Sequence, residues 1–267
     1  MTKERYVLAT GAAGEERLAV VNEVHGPDTR AFLTKSGLRP GMRVADIGCG
    51  IGTISCWMAA QVGAHGSVAG VDISADQVGV ARRRAAEGGV DNVTFSSASA
   101  YDTGLEANGF DLVFCRFVLM HLQRPEAALR EMRSLLRPGG ILAVEDGDFT
   151  ALFCHPPLAA FDRFTELYRA AGARHGADFE IGRRLYELVR SAGFDSADVT
   201  LAQPIFVRGQ AKRLPEWTLA ECEATLVEAQ LTTPAEIKEI VAVLADYAAS
   251  DGTAIGMARM MQVAATK

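Results

Sequence analysis

Long hydrophobic runs are absent from this chain of 267 residues. No apolar stretch approaches the roughly 20 residues of a membrane-spanning helix, and residues 1–5 do not begin the apolar core of a signal peptide. Basic residues are in the minority, with 27 Lys and Arg against 33 Asp and Glu and a formal net charge of −6. An acidic chain disfavours a nucleic-acid partner. We therefore expect a soluble, cytoplasmic protein that binds neither membrane nor nucleic acid.

Cysteine is scarce and has no metal-binding pattern. The chain contains five cysteines, none of them in C-x-x-C spacing, which disfavours a zinc cluster or a disulfide scaffold. We therefore expect no metal site. With 49% hydrophobic and 22% charged residues, the composition is that of a folded globular chain. No low-complexity linker divides it, so we expect a single domain over residues 1–267.

The most informative segment of the sequence is a glycine-rich turn. Residues 43–47 have the pattern of a strand, Gly48, Gly50 and Gly52 follow at alternate positions, and residues 54–60 have the pattern of a helix. Glycine permits positive φ and lets a ligand approach the backbone closely. The N-terminus of the helix offers unpaired N–H groups to oxygen atoms. The segment therefore predicts a site for a nucleotide-like ligand.

An acidic residue on the next predicted strand strengthens this interpretation. Asp72 lies twenty residues after Gly52, at the end of the apolar run 67–71. An acid at this point of a Rossmann-like unit typically accepts hydrogen bonds from ribose hydroxyls. The glycine spacing is G-x-G-x-G, whereas a dinucleotide fingerprint requires a third small residue where Thr53 stands. A nicotinamide-dependent oxidoreductase is the alternative interpretation, although Thr53 argues against it.

Four segments in this order resemble the motifs of the class I S-adenosylmethionine-dependent methyltransferases, with the small-molecule enzymes of secondary metabolism most similar. They are residues 44–52, 71–74, 109–115 and 136–142. The resemblance implies an α/β fold with a Rossmann-like, doubly wound seven-stranded sheet of order 3-2-1-4-5-7-6, strand 7 being antiparallel. It also implies an N-terminal helical lid over residues 1–36 and a helical, substrate-side insertion over residues 150–195, after strand 5.

Periodicity in the sequence locates the elements. Strands are predicted at 43–47, 67–71, 93–96, 110–115, 141–145, 199–207 and within 253–265. Helices are predicted at 14–35 with an interruption at Gly26–Pro27, and at 125–136, 157–174, 180–192, 215–230 and 234–249. The basic run 82–84 falls on a further helix and is expected to form a solvated face.

The resemblance implies a function: transfer of a methyl group from S-adenosylmethionine to a small-molecule acceptor by in-line displacement. Such a reaction depends mainly on alignment and on exclusion of water. A methyltransferase fold with a different role is the other alternative, because a fold does not determine a reaction.

The resemblance also implies a set of donor-binding residues. They are Asp46, Gly48, Cys49, Gly50, Gly52, Asp72, Ile73, Ser99, Ala100, Arg116 and Tyr6. Asp46 is expected near the methionyl amino group, Asp72 at the ribose and Ile73 on the adenine face, although each also has an ordinary structural interpretation. Ser99 stands where the family often has an Asp that binds the adenine amino group, and a hydroxyl can accept a hydrogen bond but carries no charge. Arg116 is expected either at the donor carboxylate or facing the acceptor, and Tyr6 over the donor.

Candidates for proton transfer follow the predicted fourth and fifth strands. His121 is the predicted general base, because the unperturbed pKa of histidine lies near neutrality, and His25 and His155 are further candidates. Glu145, Asp146 and Asp148 are candidates for orienting an acceptor, with loop solvation and capping as the alternative.

Aromatic side chains are concentrated in the predicted insertion. They are Phe149, Phe153, Phe161, Phe164 and Tyr168. Their helical spacing is compatible with an ordinary amphipathic core. If some of them face the pocket, they predict an apolar or aromatic acceptor.

Overall fold

The computed structural model describes residues 12–267, and their side chains from residue 18 onward. Tyr6, predicted to close over the donor, lies outside the described residues. The first element is a long helix, α1 (Ala12–Lys35).

The predicted interruption of this helix at Gly26–Pro27 is wrong, because α1 continues through Pro27. Proline removes one backbone N–H, which would otherwise bond to the carbonyl of Glu23. Glu23 and Pro27 are both exposed, so water can hydrate that carbonyl. Val20 and Val24 before the proline, and Leu33 after it, are buried, which holds both halves of the helix against the protein.

Strands and helices alternate after α1 as predicted, except that no helix lies between β3 and β4. They are β1 (Arg43–Ile47), α2 (Thr53–Val62), β2 (Ser67–Asp72), α3 (Ala75–Glu87), β3 (Val93–Ser97), β4 (Phe110–Arg116), α4 (Pro125–Leu135) and β5 (Leu136–Asp148). A short 3-10 turn, Leu119–His121, lies between β4 and α4. Strand β5 begins earlier than predicted, with a register shift against β4 between Phe110 and Leu112.

The second half of the chain is more varied. It contains β6 (Phe153–His155), α5 (Ala159–Arg174), α6 (Leu185–Ser191), β7 (Ala197–Ala202), β8 (Ile205–Phe206), α7 (Leu214–Glu228), α8 (Pro234–Ala249), β9 (Ala254–Gly256) and β10 (Arg259–Thr266). The helix predicted at 180–192 is in fact a 3-10 turn, Ile181–Arg184, followed by α6. A Cβ on Gly182 would lie 2.9 Å from the carbonyl carbon of Gly147, so this turn packs directly on the backbone of β5.

The main sheet has seven strands in the order β3-β2-β1-β4-β5-β10-β7. Strand β10 is antiparallel to both β5 and β7, and the pairs from β3 to β5 are parallel. Because β10 is the last strand of this sheet in the chain and β7 the one before it, the predicted order and the predicted antiparallel strand are confirmed.

Helices cover both faces of this sheet. On β1, Val44 faces a cluster that includes Met58 of α2 and Ala81 of α3, whereas Ala45 and Ile47 face the cluster that contains α4 and α5. This alternation of buried side chains is what a doubly wound sheet requires.

A second, three-stranded sheet of order β6-β9-β8 was not predicted. The strand expected over 199–207 is divided between the two sheets at Gln203–Pro204. Proline cannot donate to a strand ladder, and the Gln203 amide donates instead to the carbonyls of Ala151 and Met257 at 2.8 and 3.0 Å. The helices α5, α7 and α8 pack on one another, and α7 also contacts α1. In the part of the chain that the structure describes, no helix has the length and apolarity needed to cross a bilayer.

Candidate functional site

The glycine turn lies at the carboxyl end of β1 and is held by β2. Gly48 N and Cys49 N both donate to the carbonyl of Val71, at 2.7 and 3.0 Å. Gly48, Gly50 and Gly52 have φ of 76°, 53° and 76°, a region that side-chain-bearing residues rarely adopt. A Cβ on Gly48 would lie 2.0 Å from Val118 Cγ2. The turn is therefore sterically restricted to glycine at this position.

Asp72 joins the second strand to the turn. Its Oδ2 accepts from Gly50 N and its Oδ1 from Ser74 N, both at 2.9 Å. The residue is only 3% exposed, and burial raises the pKa of the carboxyl while the N–H groups of Ser74 and Gly50 lower it. A carboxylate has about four lone-pair directions, so Asp72 retains capacity for hydroxyl groups of a ligand.

The alternative role of Asp72 as the cap of α3 is taken by Ser74. The Ser74 hydroxyl accepts from Gln77 N at 3.3 Å as the residue preceding the helix.

Asp46 lies beneath the turn, at the end of β1. It is 3% exposed, and the Ser55 hydroxyl donates to its Oδ2 at 2.5 Å. Burial raises the pKa of Asp46 to about 6, with the Ser55 hydrogen bond and the Arg116 charge acting in the opposite direction. Asp46 lines the same cavity as Gly48 and Gly50, so the fold brings these three predicted donor-binding residues together.

A small apolar slot opens beside Asp72. It is lined by Ile73, Ala98, Ala100 and Leu122, among others, and Ile73 is 50% exposed. Ser99 is not among the residues lining this slot. Its hydroxyl accepts from Tyr101 N at 3.2 Å, and its backbone pairs with Asp102. The slot is therefore formed by the neighbours of Ser99, while the Ser99 side chain stabilises the local turn.

Arg116, at the end of β4, connects the sheet to α1. Its guanidinium donates to the Asn22 side chain and to Thr29 Oγ1, the latter at 2.9 Å. The Thr29 hydroxyl also donates to Glu145, and Gln262 donates to the other oxygen of Glu145 at 2.8 Å. Arg116 lines the cavity, whereas Glu145 is 2% exposed beneath it, where burial raises its pKa and Arg116 lowers it.

The other two acids after β5 also have structural partners. Asp146 accepts from Met120 N and Gly147 N at 3.1 and 2.9 Å, and burial raises its pKa to about 7. Asp148 accepts from Thr150 N at 3.0 Å and pairs with Arg183 at 3.0 Å. None of Glu145, Asp146 and Asp148 lines the cavity, so their geometry fits capping and support of the loop rather than contact with an acceptor.

The cavity continues from the glycine turn into a chamber walled by aromatic rings. We call this the aromatic chamber; its rings are Phe117, Phe149, Phe164, Tyr168 and Phe179. Phe149 and Phe179 have centroids 4.9 Å apart, and Tyr168 and Phe179 4.7 Å apart. Including its open mouth, the whole cavity encloses about 1400 Å³.

Only part of the predicted aromatic stretch faces this chamber. Phe149, Phe164 and Tyr168 line it, whereas Phe161 is 1% exposed in the core and Phe153 is 40% exposed on the surface. Leu214, Pro215 and Thr218 of α7 also line the cavity and were missed in the sequence analysis. Nothing in the periodicity of α7 distinguishes these residues from ordinary core positions.

The three candidate histidines have different environments. His121 is half-buried and lines both the cavity and the apolar slot. His25 is 6% exposed and lines the cavity next to Phe117. His155 is exposed on β6 and does not line the cavity. Among residues 18–267, no three His, Cys, Asp or Glu side chains are grouped so that they could hold a metal ion.

Comparison with known proteins gives a family match that covers β1 to α6. Residues 38–192, more than half of the chain, match the family model described as a methyltransferase domain. Phosphoethanolamine N-methyltransferase 1 of Arabidopsis thaliana is 30% identical over 166 residues, 62% of this chain and 31% of that protein. Methyltransferase GfsG of Streptomyces halstedii is 32% identical over 173 residues, 64% of this chain and 59% of that protein. The matched stretch spans less than two thirds of either relative's length.

Solved structures share the fold over a larger part of the chain. The [4+2]-cyclase SpnF aligns with a TM-score of 0.55 at 22% identity, covering 98% of this chain and 85% of that chain. A phosphoethanolamine N-methyltransferase 2 of Haemonchus contortus, solved with S-adenosylhomocysteine, aligns with a TM-score of 0.58 at 20% identity, covering 90% of this chain and 52% of that chain. At these identities the likeness concerns the fold alone.

Proposed function

The chain belongs to the methyltransferase-domain family, and from this membership we propose that it transfers a methyl group from S-adenosylmethionine to a small-molecule acceptor. The observation that carries the proposal is the hydrogen bond between Asp72 and Gly50, at 2.9 Å, at one end of a cavity whose other end is the aromatic chamber. One cavity thus offers a polar end for a nucleoside and an apolar end for an acceptor.

The residues at the polar end fit this donor. S-adenosylmethionine supplies a methyl group on a positively charged sulfur, and it carries ribose hydroxyls and a cationic amino group. Asp72 is proposed to accept from the ribose hydroxyls with its remaining lone pairs, and Asp46 to bind the amino group. Gly48 and Gly50 line the cavity together with Cys49, and the two glycines let the backbone approach the donor with no Cβ in the way. Gly52 does not line the cavity; a Cβ there would lie 2.8 Å from Ala81 Cβ and from Phe95 Cζ, so Gly52 supports the turn through packing.

Adenine is proposed to enter the apolar slot beside Asp72. Ile73, Ala98, Ala100 and Leu122 offer a flat apolar surface there, which suits a purine ring. Among the described residues that line the slot, Asp72 is the only acidic one, so Ser99 is assigned a supporting role through its turn. Arg116 is proposed to position α1 through Asn22 and Thr29, and its charge faces the donor end of the cavity.

The acceptor is proposed to be apolar or aromatic. The rings of the aromatic chamber supply large, rigid contact surfaces, and closing such a chamber excludes water from the reaction. We assign the cover of this end to α1, to the insertion at 150–195 and also to α7, which contributes Leu214, Pro215 and Thr218. His121, which lines both the cavity and the slot, remains the proposed general base.

Two alternatives have different support. The nicotinamide-dependent oxidoreductase loses its support, because residues 38–192 match a methyltransferase family. The alternative of a methyltransferase fold with another role keeps some support, because the [4+2]-cyclase SpnF shares this fold.

Calorimetric titration tests the proposal. We expect S-adenosylhomocysteine to bind the purified protein at one site and NADPH to show no saturable binding under the same conditions. Binding of NADPH, or no binding of S-adenosylhomocysteine, would contradict the proposed function. Release of S-adenosylhomocysteine only in the presence of an added acceptor would separate methyl transfer from the other role of the fold.

A further inference from the structure

His25 lies where the donor end of the cavity meets the aromatic chamber. Leu18, Val21, Asn22 and His25 are spaced at i, i+3, i+4 and i+7 on α1, and all four line the cavity. The His25 side chain is 6% exposed. Its Nδ1 has no hydrogen-bond partner among the described residues. Buried polar atoms are normally hydrogen-bonded, so this nitrogen suggests a partner that the protein itself does not supply.

The ring of His25 is held in place by the wall of the chamber. Its centroid lies 5.2 Å from that of Phe117, in an edge-on arrangement with 75° between the planes. Phe117 has a positive φ of 55° and contacts Phe149 at 6.2 Å. A non-glycine residue in this conformation is uncommon and is typical of functional sites. The contact orients the imidazole at the entrance of the aromatic chamber.

The imidazole of His25 is uncharged across the physiological range. Burial, together with the nearby positive charge of Arg116, lowers the pKa of His25 to about 3. An uncharged imidazole with its proton on Nε2 has a free lone pair on Nδ1 and is a hydrogen-bond acceptor there. It therefore offers a group that recognises a donor such as a hydroxyl without adding a charge.

The other residues that line the cavity restrict the chemical class of the acceptor. Among the described lining residues, the charged side chains are Asp46, Asp72 and Arg116, which lie near the ends of strands β1, β2 and β4. The described residues of the aromatic chamber carry no carboxylate that would face a cationic amine. A neutral acceptor with a flat apolar body and a hydroxyl group satisfies both the rings and His25.

We propose that His25 binds the hydroxyl group of a neutral aromatic acceptor, so that this chain methylates oxygen. The inference rests on the proposed function, because it concerns the acceptor end of the same cavity. His25 accepts the hydrogen bond, and the aromatic chamber holds the apolar body of the acceptor. The oxygen–methyl bond forms as the sulfur–methyl bond of the donor breaks, which leaves S-adenosylhomocysteine. The hydroxyl proton passes first to His25 and then to His121, the proposed general base, which lines the same cavity. His25 thereby selects a hydroxylated acceptor over one of the same shape that lacks the hydroxyl.

The test compares two probes of nearly equal size, 2-naphthol and 2-methylnaphthalene, on protein saturated with S-adenosylhomocysteine. The measured quantity is the ratio of their dissociation constants, followed by ligand fluorescence. The original protein should prefer 2-naphthol over 2-methylnaphthalene. We expect His25→Phe to reduce this preference about fivefold, which corresponds to the loss of one net hydrogen bond. His25→Asn, whose amide oxygen can accept near the same point, should restore most of the preference. His65→Phe, on an exposed loop residue, is the matched control and should leave the ratio unchanged.

The outcomes distinguish the two claims. If S-adenosylhomocysteine does not bind the original protein, the proposed function fails first. If it binds the original protein and all variants equally, but His25→Phe keeps the full preference for 2-naphthol, the role of His25 is refuted. Failure of 2-naphthol to bind the loaded original protein would refute the acceptor class. Should His25→Phe lose S-adenosylhomocysteine binding through misfolding, His25→Leu takes its place in the comparison.

Discussion

The carboxylate of Asp72 accepts a hydrogen bond from the backbone N–H of Gly50, across a gap of 22 residues in the chain, at 2.9 Å. This bond fixes the end of β2 against the glycine turn that follows β1. The same carboxylate holds Ser74 N at the start of α3. One acid therefore sets the geometry of the polar end of the cavity and retains lone pairs for a ligand.

Replacing this acid should weaken donor binding. For Asp72→Asn we expect the affinity for S-adenosylmethionine to fall by about 1–3 kcal/mol, because an amide offers one acceptor oxygen where the carboxylate offers two. Calorimetry measures the effect, and thermal denaturation reports any separate loss of stability. Asp76→Asn, an exposed acid in the first turn of α3, is the control. Equal affinities for the original protein and Asp72→Asn would remove Asp72 from the donor site.

The close approach at Gly48 predicts a stability effect that can be separated from backbone strain. Gly48→Ala should lower the free energy of unfolding by about 1–3 kcal/mol more than Gly89→Ala does. Both glycines have positive φ, 76° and 63°, but a Cβ meets Val118 Cγ2 at 2.0 Å only in the first, whereas nothing lies within 4 Å in the second.

Urea denaturation measures the two values. The additional substitution Val118→Ala should recover part of the loss in Gly48→Ala, since it removes the side chain that the new methyl group meets. Similar losses in Gly48→Ala and Gly89→Ala would show that strain alone accounts for the effect.

Asp46 should make donor binding depend on pH. Because burial raises its pKa to about 6, the free protein carries a neutral Asp46 below that pH and a charged one above it. A cationic amino group of the donor favours the charged form, so the affinity is complete above pH 6 and is lost as the pH falls through 6. Between pH 7 and pH 5 we expect a decrease of about tenfold. Asp46→Asn should bind the donor more weakly than the original protein at pH 7, and its affinity should change little between pH 7 and pH 5. If the affinity of both proteins depends on pH in the same way, another group is responsible for that dependence.

The aromatic chamber should discriminate between two neighbouring phenylalanines of one helix. Phe164 lines the cavity, whereas Phe161 is buried in the core at 1% exposure and does not line it. Both rings are large and buried, so Phe164→Leu and Phe161→Leu should lose comparable thermal stability. Only Phe164→Leu should weaken 2-naphthol binding to the loaded protein. A loss of equal size in Phe161→Leu would indicate that general loosening of α5, and not contact with the ligand, controls affinity.

The strand order of the main sheet followed from the family resemblance, and the positions of β1 to β4 were predictable because each is a short apolar run. The small sheet was not, since β6, β8 and β9 contain only two or three residues each, too few to show an alternating pattern. The continuous α1 was missed because the exposure of Pro27 and Glu23 is not visible in the sequence.

The candidate site also has a part that was predictable from the sequence and a part that was not. The glycine turn and Asp72 lie close in the chain and carry recognisable spacing, so their association was predictable. Arg116, Thr29 and Glu145 are separated by 87 and 116 residues, and their network depends on how α1 docks on the sheet. The contribution of α7 to the cavity depends on the same tertiary packing, which no local pattern records.

We expect the donor at the glycine turn to present its methyl group to the aromatic chamber. Isotope-edited NMR on the complex with S-adenosylmethionine bearing a carbon-13 methyl group measures this directly. We predict one saturable bound methyl signal, with nuclear Overhauser contacts to aromatic side-chain protons, and loss of the signal when S-adenosylhomocysteine is added. A methyl signal that stays at the position of the free donor, or a bound one with no contact to any aromatic proton, would contradict it.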